Sequence, residues 1–154
     1  MNRPLRLILN SAVTAFLLSC AGNVHAADLD HLFERLKTPG LAEWQHVERQ
    51  IEREMALSGS AAMDLLLQRG RAAMSAGEPR QAVEHFSALI DHAPGFAEGW
   101  NGRAAAFFAL DHFGMALADL EHVLALEPRH YDAWQGVGVI VNEMGRPDLA
   151  LRAF

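Results

Sequence analysis

The chain has 154 residues, is 51% apolar and carries a formal net charge of −6, which suits one domain with a core of its own. Lys37 is the sole lysine, and a chain this acidic has no basic stripe to follow phosphates. That argues against nucleic acid as a partner and against attraction to anionic lipid.

The N-terminus reads as an export signal over residues 1–26. Arg3 and Arg6 supply positive charge, and residues 7–22 are largely apolar, interrupted by Asn10, Ser11, Thr14 and Ser19. Val24-His25-Ala26 fits a small-residue cleavage site, predicting a mature start at Ala27 and a periplasmic or secreted product. Loss of Arg3 and Arg6 would move the charge from −6 to −8. A second route stays open. Leu17-Leu18-Ser19-Cys20 resembles a bacterial lipoprotein signal, with Cys20 as the lipidation site and the lipid as the only membrane contact. A retained amphipathic helix or anchor is the third reading. Cleavage before Ala27 leaves no cysteine, hence neither disulfide nor thiol chemistry.

Residues 27–58 are expected to form a helical hairpin. Leu29, Leu32, Phe33 and Leu36 make one apolar face over a helix from Asp28 to Lys37, which Pro39-Gly40 ends. A second helix from Leu41 to Leu57 carries Trp44, Val47, Ile51, Met55 and Ala56 on its stripe. This hairpin lacks the spacing found downstream and reads as an N-terminal cap of a stacked array.

Residues 59–154 repeat with a period of 34, in units of about 63–96, 97–130 and 131–154. Trp100 recurs as Trp134, Gly70 as Ala104 and Gly138, Ala82 as Ala116 and Ala150, Phe86 as Leu120 and Phe154, and Pro94 as Pro128. Each unit reads as two helices, A and B. The A helices are predicted near 61–76, 97–110 and from Tyr131; the B helices run from Pro79 to His92 and from Met115 to Leu126. Ser60 is placed to cap the first of them. The small residues mark helix crossings, since a helical Gly costs roughly 0.5–1 kcal/mol relative to Ala and so is kept for packing. The third B helix has barely begun at Phe154. A chain continuing further, closure by another copy through the open end, and a frayed end all remain as explanations.

In register, these positions resemble the tetratricopeptide repeat. The whole chain is similar to small secreted or periplasmic proteins of that family in Gram-negative bacteria. The resemblance implies an all-α, right-handed solenoid of antiparallel helix pairs with the third repeat incomplete. It also implies a concave groove, lined by A helices, that holds a peptide or protein segment. Carried onto this sequence, the groove comprises Asp64, Leu67, Arg71 and Met74 from unit one and Glu98, Asn101, Ala105 and Phe108 from unit two. Unit three adds Asp132, Gln135, Val139 and Asn142. Some family members clamp a C-terminal carboxylate with lysines here; this chain has Asn101 but no lysine at those positions. The groove suits a segment with apolar anchors and basic flanks. Leu67, Met74 and Phe108 have packing against neighbouring helices as the competing role.

Catalytic chemistry is not indicated. No histidine pair has the spacing of a helical zinc motif, and the histidines suit surface or capping roles. Asp119 and Glu121 read as a solvated face. No phosphate loop follows a strand, and no serine has an evident base. The expected function is a protein-interaction scaffold without enzyme activity, cofactor or metal. A self-associating assembly module and, less favoured, an enzyme accessory subunit are the alternatives.

Overall fold

The computed structural model describes residues 21–38, 40 and 42–146. Cys20, Ala150 and Phe154 lie outside them, as do most of the expected export segment and the expected third B helix. Regular structure among the described residues is entirely helical. No helix among them is long and apolar enough to cross a membrane. The chain divides into two compact units, residues 1–55 and 56–154.

The first unit contains α1 (Ala21–Leu36) and α2 (Trp44–Met55). α1 starts at Ala21 rather than Asp28, running on through residue 26 without a break. Leu32, Val47 and Ile51 are its buried centre, with Leu29, Phe33, Leu36 and Met55 around them. Val47 and Ile51 face one side of α2 at i, i+4 spacing. Trp44, expected on that stripe, opens the helix and stands 50% exposed. Ala56, also expected there, packs with the second unit against Phe86 and its neighbours.

The second unit is a run of antiparallel helices: α3 (Ala61–Ser75), α4 (Pro79–His92), α5 (Ala97–Ala109), α6 (Phe113–Leu126) and α7 (Tyr131–Glu143). Each packs on the next, and the A helices α3, α5 and α7 also meet in succession. This is an all-α solenoid. Ser60 holds the N-cap position of α3, but its side chain makes no capping bond. Asp64 orders the approach instead, accepting from Ser58 N at 2.9 Å and Ser58 Oγ at 2.6 Å.

The period is visible in the bonding. Trp100 Nε1 donates to the Pro94 carbonyl at 2.9 Å, and Trp134 Nε1 donates to the Pro128 carbonyl at 2.9 Å. Each A helix ends on a left-handed residue: Gly77 at φ 74°, Asp111 at φ 59° and Gly145 at φ 74°. Behind them Glu78 N donates to Ala73 O, His112 N to Phe107 O and Arg146 N to Val141 O, closing the same helix-ending loop three times. Asp111 pays the steric cost of its Cβ in this conformation, which glycine avoids. We expect Asp111→Gly to stabilise the protein by about 0.5–1 kcal/mol, read as a higher urea midpoint; a lower midpoint would contradict this.

Small residues admit large side chains rather than bare backbone. Phe86 is 1% exposed. A Cβ on Gly70 would stand 2.4 Å from its ring, and one on Gly102 would stand 2.5 Å away. The ring of α4 is therefore seated between α3 and α5. One period on, a Cβ on Gly136 would meet Leu120 at 3.1 Å. Ala82, Ala104, Ala116 and Gly138 are buried as the repeat requires.

Asp119 is not on a solvated face. Its carboxylate accepts from Arg103 Nε at 2.7 Å and Nη2 at 2.8 Å, while Arg103 Nη1 donates to Ser87 Oγ at 3.2 Å. The guanidinium lies 5.0 Å over the Trp100 ring and 5.7 Å over Phe107. Donation to Asp119 raises the Arg103 pKa further, against the opposing effect of burial. α4, α5 and α6 are thereby joined by one charged cluster.

Candidate partner-binding groove

Successive A helices meet on one side of the array, and between α5 and α7 they leave a cleft of about 320 Å³. Ala104, Leu120 and Ile140 are its buried floor. Gly136 completes that floor, because a side chain there would press on Leu120. Phe108 and Val139 are its apolar walls, and Asn101, Ala105, Asp132 and Gln135 its rim. Phe108 also packs against the core, its ring centroid 5.7 Å from that of Phe113. It thus both packs against its neighbours and lines the cleft.

Four residues assigned to the groove from the sequence line this cleft: Asn101, Phe108, Asp132 and Gln135. Ala105 and Val139, placed there by the same mapping, do so too. The remainder lie elsewhere. Leu67 is 2% exposed and belongs to the core around Phe86, so it cannot present a surface. Met74 is half-buried against the same core. Asp64 is engaged by Ser58. Asn142 is exposed near the end of α7, outside the cleft.

Glu98 is also diverted inward, at 8% exposure. Its Oε2 accepts from Arg71 Nη2 at 2.7 Å, and its Oε1 lies 3.0 Å from His130 Nε2. His130 holds the N-cap position of α7, where Nδ1 accepts from Ala133 N at 3.4 Å. With Nδ1 as acceptor, Nε2 carries the proton and donates to Glu98. The histidine expected at a surface or cap is therefore a cap that is 1% exposed. This chain of contacts ties α3, α5 and α7 along the groove side. His122 stacks on Trp100 with centroids 4.3 Å apart. Beside His130, the Arg129 side chain and backbone hold the Glu127 carboxyl below the usual range. Among the described residues no group of three or more His, Cys, Asp or Glu is placed to hold a metal ion.

The floor residue Gly136 and its predecessor Gly102 were missed by sequence reasoning. Their signal was available, since they stand one 34-residue period apart and face Leu120 and Phe86, which are themselves a repeat pair.

Comparisons with known proteins agree with this architecture. A tetratricopeptide-repeat family model matches residues 67–113. A TPR repeat-containing protein of Rhizobium etli is 34% identical over 129 residues, covering 82% of this chain and 62% of its own length. The small glutamine-rich tetratricopeptide repeat-containing protein 2 of Saccharomyces cerevisiae is 27% identical over 110 residues, 71% of this chain and 32% of that protein. The chain thus spans less than two thirds of these relatives. Among solved structures, the TPR2AB domain of yeast Sti1 in complex with pHSP90 shares the fold with a TM-score of 0.59 and 19% identity, over 84% of this chain and 52% of that one. Repeat period, helix pairing and relatives lead to one assignment: the chain carries tetratricopeptide repeats, matched by the family model over residues 67–113.

Proposed function

We propose that this protein is an exported, non-enzymatic scaffold that holds a segment of a partner protein in the cleft between α5 and α7. The observation that carries the reading is the cleft itself, with its buried apolar floor and a rim of side chains able to donate and accept hydrogen bonds. The tetratricopeptide repeats support a role in protein–protein interaction. The Sti1 domain, which has the same fold, is in complex with pHSP90. Export rests on Arg3, Arg6, the apolar run and the cleavage site before Ala27, with acylation of Cys20 as the competing route.

Ala105 is exposed on the rim, so Ala105→Trp fills the cleft without touching the core. Pull-down from an envelope extract is expected to recover a specific partner with the native chain, and Ala105→Trp is expected to weaken that capture about tenfold or more, on the order of a hot-spot loss. Capture that survives both Ala105→Trp and Val139→Asp, with helicity unchanged, would rule the cleft out. Mass spectrometry of the processed N-terminus tests export. A mature start at Ala27 or an acylated Cys20 supports it, and an unprocessed Met1 terminus contradicts it.

A further inference from the structure

We propose that the crease between α1 and α2 binds a short zwitterionic peptide of two or three residues. The crease encloses about 370 Å³. Asp28, His31 and Arg35 line it from α1, above the buried Leu32, and Gln50 and Arg53 line it from α2. It lies wholly within the first unit, so it stands or falls independently of the α5–α7 cleft. Every lining residue follows Ala27, and cleavage at the expected site would leave all of them in the mature chain.

Two observations point to an occupant. Gln50 Oε1 is buried and has no hydrogen-bond partner. A buried acceptor without a donor is unfavourable. The Gln50 side chain lines the crease, and a turn about its soft terminal torsion offers that oxygen to an incoming N–H. The second observation is the arginines. Among the described residues, Arg71, Arg103 and Arg129 are each bound to a carboxylate, whereas Arg35 and Arg53 form no ion pair. Arg35 is half-buried in spite of this.

The spacing selects the ligand. Asp28, His31 and Arg35 share one face of α1 at intervals of three and four residues. Asp28 and Arg35 therefore stand about 10 Å apart along the helix axis, with opposite charges. Extended chain covers at most about 3.3–3.6 Å per residue, so a tripeptide matches the distance. The long Arg35 side chain takes up the difference for a dipeptide. The peptide ammonium is assigned to Asp28 and its carboxylate to the Arg35 guanidinium, which can grip both oxygens. Glu54 also lines the crease but is already engaged. Peptide N–H groups between the termini supply the donor that Gln50 lacks. A free amino acid reaches one end only. An occupant with a single charge gains at one end and is repelled at the other.

The test is calorimetric titration of the full chain with Ala-Leu-Ala, its N-acetylated form, its C-terminal amide, and free leucine. The uncapped tripeptide is expected to bind about tenfold or more tighter than either capped form, the range of one charged hydrogen bond, and leucine should not bind measurably. Arg35→Gln should make the tripeptide and its amide bind alike, and Asp28→Asn should do the same for the tripeptide and its acetylated form. Gln50→Leu should weaken the tripeptide while raising the urea midpoint of the free protein, because it removes the unpaired acceptor; a purely structural Gln50 would not separate the two readouts. A tripeptide that fails to bind the folded chain, capped and uncapped forms that bind equally, or leucine that binds as tightly as the tripeptide would overturn the proposal.

Discussion

Phe86→Ala is expected to destabilise the helical array by about 3–5 kcal/mol, enough to unfold a domain of ordinary stability. The ring is fully enclosed, and it spans the helix α4 to the small residues of α3 and α5 at once. Its removal leaves a cavity between Gly70 and Gly102 that neither helix can fill, since neither position carries a side chain. The converse change has the same origin. Gly70→Ala or Gly102→Ala places a Cβ within 2.4–2.5 Å of the ring. The gain in helix propensity, about 1 kcal/mol, is smaller than the strain of overpacking, about 1–3 kcal/mol. Each alanine variant is therefore expected to lower the urea midpoint. Phe86→Leu combined with Gly70→Ala should cost less than the sum of the two single changes, because the shorter side chain makes room for the new methyl group. Additive costs in that cycle, or a Phe86→Ala protein with an unchanged midpoint, would refute the account.

Arg103→Met is expected to cost about 2–4 kcal/mol, because it strands the Asp119 carboxylate in the interior. The side chain of Asp119 is 6% exposed and that of Arg103 is 20% exposed. Two short bonds from one guanidinium satisfy both carboxylate oxygens. Asp119→Leu should be less damaging than Arg103→Met, since the charge left behind then belongs to the more exposed partner. The double change Arg103→Met with Asp119→Leu should recover much of the loss, as apolar replacements of buried ion pairs often do. Thermal melts of the three variants check this ordering. An Arg103→Met protein as stable as the native chain would show that the pair contributes nothing.

Both predictions bear on the cleft. Gly102 and Arg103 lie on α5 directly after Asn101, and Ala105 and Phe108 follow on the same helix. Phe86 and Asp119 therefore fix the height and rotation of one wall of the groove. Loss of either should weaken the proposed partner capture even where helicity persists.

The sequence by itself determined the helices of the array, their order and their turns. The 34-residue recurrence of Trp, Ala, Pro and small residues was sufficient, because a repeat stacks equivalent side chains on equivalent neighbours. The left-handed turn at Gly77 recurs at Asp111 and Gly145 for that reason. Only the tertiary structure decided which polar side chains turn inward. Glu98 meets His130 across 32 residues, and Arg103 meets Asp119 across 16. Neither separation is a multiple of the repeat, so periodicity carries no record of the pairing. The same limit applied to Leu67, which lies on an A helix yet packs in the core with Phe86. A helix pattern states how often a face recurs; which neighbour covers it is set by packing against chain far away in sequence.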